Sequence, residues 1–364
     1  MKIILILITL LYYFDTVHGQ IIMKPYLQAV TTNSVWVMVE CSTMDSVTVD
    51  YGPTSSYGSK AKTEVISATA ASHVTYIHKI KLTDLSPDTR YFYEARQGTS
   101  VSQGASFKSA VNPGTNFRFT WMADMRTGVE VHDSIAKRML AANSVVSLYG
   151  GDLCHYACYK SWKKEFFRKD QLELISVVPF FNVPGNHEKW KKNAKAFLQN
   201  PDSPSGTQDY YSFDYGDMHV LCINNEVDYE EGSPQYLFAK ADLESTTKTW
   251  KIIISHSPAY IAGGHKPDKG MVNLTKMIFE PCKVDMVISG HSHLYQHNLV
   301  NGIHHLVIGS AGAPLVNPKT ASYTVLSVKD YNYAIGELSP TSLHFTVYNA
   351  SGKKLDSIQL TRDK

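Results

Sequence analysis

VPFFNVPGNHE (178–188) reads as a short apolar run that breaks at a Pro-Gly turn and then presents an amide, an imidazole and a carboxylate. A parallel-sheet strand covered on both faces has this appearance: continuous apolar residues bounded by turn signals. Four other stretches repeat the pattern: FRFTWMAD (117–124), VVSLYGGD (145–152), WKIIISH (250–256) and VDMVISGHSH (284–293). Each ends in a residue able to ligate a cation, namely Asp124, Asp152, Asn186, His256, and His291 with His293. In an open α/β sheet, ligands bind just beyond the carboxyl ends of the strands. The chain thus brings carboxylates, an amide and imidazoles to one rim. Oxygen and nitrogen donors in this mix suit hard or borderline cations, not thiophilic ones. A carboxylate shared by two ions also permits a two-metal displacement on phosphorus. Taken singly, each residue has an ordinary explanation. An Asp after a strand can be a helix cap or turn residue, and His256 can be a satisfied core imidazole. Five such blocks, each after a strand, argue for a common site.

The stretches between the blocks carry apolar residues at helical spacing: 129–143, 159–176, 233–246 and 273–282. Strands alternating with helices predict a mostly parallel α/β core. The tail returns to strand-like runs that complete this core. Upstream, SVWVMVEC (34–41), SVTVDYG (46–52), VTYIHKIKL (74–82) and TRYFYEAR (89–96) are short β-prone runs broken by turns. They predict an antiparallel sandwich of the immunoglobulin or fibronectin type III kind. SAVNPGTN (109–116) is rich in turn residues and reads as a linker. The expected division is residues 1–19, a cleaved signal peptide; 20–112, the all-β domain; and 113–364, the catalytic domain.

Residues 1–19 join Lys2 to the apolar core IILILITLLYYF and the small-residue site Val17-His18-Gly19, the layout of a secretory signal. Its apolar part is too short to span a bilayer, so the mature protein is expected to be secreted, with no membrane span. The 364-residue chain has a net charge of +2, which gives no reason to expect nucleic acid as a partner. Basic KWKKNAK (189–195) reads as a solvated helix face. Of the five cysteines, Cys154 and Cys158 flank the Asp152 block; a local disulfide or buried thiols suit them better than a zinc site. Asn273-Leu-Thr275 and Asn349-Ala-Ser351 are N-glycosylation sequons.

The order D…GD…GNHE…H…GHxH, with Tyr295 just after the last block, resembles the calcineurin-like metallophosphoesterase superfamily, and within it most of all the purple acid phosphatases. LTDLSPDTRYFYEAR (82–96) is similar to the last-strand corner of the fibronectin type III-like module that many of those enzymes carry ahead of the catalytic domain. The resemblance implies two metal ions, iron with zinc, manganese or a second iron. Asp124 and His293 would bind the first, Asn186, His256 and His291 the second, and Asp152 both. It implies that His187 faces the substrate, and that His265, in YIAGGHKPDKG, contacts phosphate. One departure is plain. The family has GDxxY, whose Tyr binds ferric iron and gives the colour; here the third position after Asp152 is His155, and Tyr156 follows. Either His155 takes the phenolate's place or Tyr156 reaches the metal. A neutral imidazole stabilises a trivalent ion less than phenolate does. The DxH pattern of other superfamily members is also absent, because Arg126 stands two residues after Asp124. The implied activity is hydrolysis of small phosphate monoesters by a metal-bound hydroxide, in a chain that can form homo-oligomers. The rival readings are a phosphodiesterase on nucleotides or lipids and a degenerate metal-binding or adhesion protein.

Overall fold

A computed structural model describes residues 19–201 and 205–363, so the signal-peptide reading falls almost wholly outside the described residues. The C-terminal part of the chain is built on two sheets that share a core. In one, strands Phe117–Met122, Val146–Tyr149 and Phe180–Asn182 run parallel. In the other, Met218–Ile223, Trp250–Ser255, Met286–Ser289 and Ile303–Ile308 run parallel. Antiparallel strands flank both parallel centres, so the sheets are mixed. The C-terminal strands Asn332–Leu338, Ser342–Asn349 and Lys354–Thr361 extend the first sheet, and Thr324–Val328 extends the second. These strands belong to the two sheets and form no separate layer of their own.

The unbroken apolar runs have a direct cause. Side chains alternate between the faces of a strand. Ile252 and Ile254 point into the core between the sheets, while Ile253 packs outward against Leu243, Met271 and Leu274 of the covering helices. Both faces are dry, so no polar alternation survives.

The N-terminal region forms two antiparallel layers. One contains Tyr26–Gln28, Val35–Cys41, Val65–Ala68 and Tyr76–Leu82; the other contains Thr48–Gly52, Ser59–Lys62, Arg90–Gln97, Ser100–Val101 and Ala105–Lys108. The corner read from LTDLSPDTRYFYEAR is closed by Tyr91, whose hydroxyl accepts the Ser86 N–H at 2.8 Å. The first layer does not end at the linker. Gln28 pairs in parallel with Phe180, which makes a single ten-stranded sheet across both regions. The buried Lys79 ammonium adds a tie by donating to the Lys195 and Leu198 carbonyls, each at 3.0 Å.

Two helices differ from the sequence reading. The stretch 159–176 is not continuous: a short helix, Tyr159–Ser161, passes into a π-turn, Trp162–Phe166, and the chain restarts at Lys169–Ile175. The break lets Trp162, Phe166 and Phe167 pack together and reach Phe197. π-turns mark local adjustments of this kind. The stretch expected at 273–282 begins earlier, at Lys269–Leu274, because Asp268 caps it by accepting the Met271 N–H at 2.9 Å.

Candidate metal centre

The five blocks converge. Asp124 and Asp152 lie just past their strands, both essentially inaccessible to solvent. Asp124, Asp152 and His291 adopt positive φ, at 56°, 53° and 68°. This is an uncommon conformation for side-chain-bearing residues and it clusters at functional sites. The conformation folds the strand ends back over the site. The neighbouring glycines leave room for the carboxylates: a Cβ on Gly185 would lie 2.3 Å from Asp152 Oδ1, and one on Gly290 would lie 2.4 Å from Asp124 Oδ2.

The imidazoles are aimed by their outer nitrogens. His256 Nδ1 faces the Gly150 carbonyl at 2.8 Å, and His293 Nδ1 faces that of Pro314 at 2.9 Å. Each Nδ1 therefore donates and leaves Nε2 free toward the centre, as buried ligating histidines are commonly held. His256 Nε2 lies 3.0 Å from Asn186 Oδ1, 3.1 Å from His291 Nδ1 and 3.5 Å from Asp152 Oδ1. Burial and the neighbouring His256 and His265 push the His291 imidazole down to about 3, so it is a neutral donor. Burial alone would raise the Asp152 carboxyl, but His256, His187 and Arg126 outweigh it and hold it below the usual range.

These residues fit a cation. Donor atoms of Asp124, Asp152 and His256 all lie within 4.8 Å of one another. Asp124 Oδ1 is buried without a hydrogen-bond donor, a costly arrangement for an ionised oxygen unless a positive charge completes it. Asn186 and His291 add donors beside His256. The position implied for a first metal, among Asp124, Asp152, His155 and His293, does not fit in the same way. The Arg126 guanidinium lies there, with Nε 3.1 Å from Asp152 Oδ2, Nη1 3.3 Å from His155 Nδ1 and Nη2 3.2 Å from His293 Nε2.

Of the two candidates after Asp152, His155 faces inward and Tyr156 is 64% exposed. Tyr295 is also remote from the centre: it is buried and donates to Asp356 Oδ2 at 2.6 Å. His187 and His265 sit at the rim. His187 Nδ1 donates to the His155 carbonyl at 2.8 Å, which turns Nε2 toward Asp152 Oδ2 at 3.8 Å. His265 stacks on His291 with ring centroids 3.8 Å apart. It follows Gly263 and Gly264, whose φ values of 90° and 68° suit glycine.

Sequence reasoning missed two residues. Arg126 was noted only as a broken DxH pattern. Glu188 closes the GNHE turn by accepting the Gly185 N–H at 2.8 Å. Burial, with Asp152 nearby, pushes its carboxyl up to about 8. Nothing in one sequence separates that role from a solvated glutamate. The five cysteines are all free: Cys154 is buried, with its thiol on the Tyr156 carbonyl, and Cys158 is exposed. Asn273 is half-buried within a helix and followed by the fully buried Thr275, whereas Asn349 lies at a strand end with its amide on Asp330.

Residues 119–295 match the family described as calcineurin-like phosphoesterase, and residues 23–109 match the purple acid phosphatase N-terminal domain. The chain is a calcineurin-like phosphoesterase in fold. Within that superfamily it is a purple acid phosphatase-like protein, since the all-β domain ahead of the metal motifs is the one that lineage carries. Probable inactive purple acid phosphatase 1 of Arabidopsis thaliana is 27% identical over 362 aligned residues, covering 79% of this chain and 58% of its own length. Acid phosphatase type 7 of Danio rerio is 25% identical, covering 82% of this chain and 80% of its own length. The chain thus spans less than two thirds of some curated relatives that it matches, including 61% of purple acid phosphatase 18 of Arabidopsis thaliana. The structure of purple acid phosphatase PPD1 from yellow lupin (Lupinus luteus) seeds has the same fold. Its TM-score is 0.81 at 20% identity, over 93% of this chain and 74% of that one. The family implies a binuclear metal centre. Among the described residues, no helix is long and apolar enough to cross a membrane.

Proposed function

We propose that this chain is a metal-dependent phosphatase that hydrolyses small phosphate monoesters outside the cytoplasm, reached through the signal segment 1–19. The observation that carries the reading is the buried set Asp124, Asp152 and His256, with its donor atoms within 4.8 Å, at the rim where the strands end. Asp124, Asp152, Asn186, His256 and His291 would hold iron, zinc or manganese, because their oxygen and nitrogen donors suit those ions. A bound ion there supplies Lewis acidity, which acidifies water and neutralises charge on the phosphoryl oxygens. The remaining work belongs to side chains. His187 stands at the rim with Nδ1 already donating to a carbonyl, so its Nε2 is placed to hand a proton to the leaving alkoxide. His265 stacks against His291 where an entering phosphate would pass.

Hydrolysis of p-nitrophenyl phosphate by the metal-loaded protein, set against bis(p-nitrophenyl) phosphate, tests the reading; faster turnover of the diester would replace it. A second reading, a metal-binding protein without hydrolytic activity, is favoured by the guanidinium inside the centre, and the same assay decides it. His187→Ala should keep its metal and lose roughly 10²–10⁴-fold in kcat, the usual contribution of general acid–base assistance. Metal content measured beside the rates checks this, and loss of metal would make His187 a ligand instead. Iron-loaded, oxidised protein should lack an intense visible band, because Tyr156 is exposed and His155 has no phenolate. A violet spectrum lost in Tyr156→Phe would contradict that.

A further inference from the structure

We propose that Arg126 is a built-in cation that takes the place of the first metal, so that the centre binds one ion per chain where its relatives' motifs provide for two. The proposal rests on the reading of the strand-end cluster as a metal site. Arg126 is 8% exposed, and its guanidinium makes contacts of 3.1, 3.3 and 3.2 Å to Asp152, His155 and His293. Those are three of the four residues that the first position would need, and the contacts use the atoms that would face a metal: Asp152 Oδ2, His155 Nδ1 and His293 Nε2. A metal would need these lone pairs at about 2.0–2.2 Å. An N–H group already points at each of them from hydrogen-bond distance. Guanidinium does not deprotonate in proteins, so it cannot become a neutral bystander when an ion arrives. A divalent ion in the same space would face a fixed positive charge with no water between.

The local backbone holds the arginine there. It is two residues past Asp124, in a loop pinned on both sides: the Ala313 N–H donates to the Asp124 carbonyl at 2.9 Å, and the Gly128 N–H to the Gly312 carbonyl at 3.0 Å. Gly312 itself is required, since a Cβ there would lie 2.6 Å from the Met125 carbonyl oxygen. The two histidines that lose a metal gain a donor, and Asp152 keeps a positive partner on Oδ2 while Oδ1 stays turned to His187 N–H and His256. The second position keeps Asp152 Oδ1, which does not bond Arg126, together with Asn186, His256 and His291. The same substitution accounts for His155: with no trivalent ion to stabilise, a phenolate has no function at that position, and an imidazole that accepts from the guanidinium does.

The guanidinium also has a chemical use. It is planar, always charged and matched to phosphate oxygens. Beside a single ion it supplies the second positive charge that a phosphoryl group needs, with no loading step.

The test is metal stoichiometry. Purified full-length protein is saturated with Mn(II) or Zn(II), freed of excess and assayed by elemental analysis, with the Mn(II) spectrum read by electron paramagnetic resonance. The expected count is about one per chain with an isolated-ion spectrum, rising to about two with a spin-coupled spectrum in Arg126→Ala. Arg126→Gln, which keeps volume and removes charge, gives the same readout should the alanine variant not fold. Two ions in the unaltered protein would overturn the proposal. So would one ion in both proteins, since Arg126 would then not be what excludes the second. No ion in either would instead overturn the metal-centre reading beneath it.

Discussion

Asp152→Asn should abolish both metal binding and phosphate-ester hydrolysis. The carboxylate is 1% exposed and each oxygen is committed. Oδ1 accepts the His187 N–H at 3.0 Å and faces His256, and Oδ2 accepts Arg126 Nε at 3.1 Å. Asparagine preserves the shape but removes the charge that draws the ion in and that balances the guanidinium. Charge stabilisation by a metal is worth several kcal/mol in the transition state. At 1.36 kcal/mol per decade, a loss of about 4 kcal/mol slows hydrolysis roughly a thousandfold. Stability should fall as well, because a buried arginine left without its partner typically costs about 3–5 kcal/mol. Elemental analysis, turnover and a denaturant titration on the same preparation check all three effects. A variant that is folded, metal-free and fully active would move the chemistry elsewhere.

Stability should fall as pH rises from about 6.5 to 9, and His219 should be the cause. It sits in the strand Met218–Ile223 and bridges two carboxylates, with Nδ1 2.9 Å from Asp214 Oδ1 and Nε2 2.8 Å from Asp242 Oδ2. Burial would lower its titration, but the two acids outweigh burial and hold the imidazole up at about 9. An unfolded histidine titrates near 6.5, so between those values the folded chain holds a proton that the unfolded chain has lost. The contribution is complete below about 6.5 and is gone once pH passes the folded value. At 1.36 kcal/mol per pH unit the full shift is worth about 3 kcal/mol, reduced toward 2 because the Asp214 side chain is 50% exposed. Free energies of unfolding at pH 6 and pH 9.5 should differ by about that amount in the parent and by little in His219→Gln. An equal loss in both would place the dependence on another group.

The convergence of these residues is legible in the sequence because each donor is local to one strand end. Each donor ends an apolar strand, and five strand ends placed on one rim fix a site without any knowledge of the intervening loops. Strand identity was legible for the same reason: Ile252, Ile253 and Ile254 can be consecutive only where both faces are buried. What escaped were features set by packing between distant segments. The break after Phe166 depends on rings that meet Phe197. The single sheet joining both regions depends on the pairing of Gln28 with Phe180, which no local pattern encodes. Arg126 escaped because a lone arginine after a strand is ordinary in sequence. Only the folded chain shows its nitrogens on three residues drawn from separate blocks.

The central claim is that the strand-end cluster holds metal and that this metal supports hydrolysis of phosphate esters. The direct measurement is chelation and reconstitution: the protein is stripped of metal, assayed on p-nitrophenyl phosphate, then titrated with Zn(II), Mn(II) or Fe(II) while bound metal and rate are followed together. The account predicts that activity vanishes on stripping, returns in proportion to metal bound, and never returns in Asp152→Asn. Undiminished hydrolysis by the metal-free protein, or tight stoichiometric binding of each of the three metals with no hydrolysis at all, would contradict it.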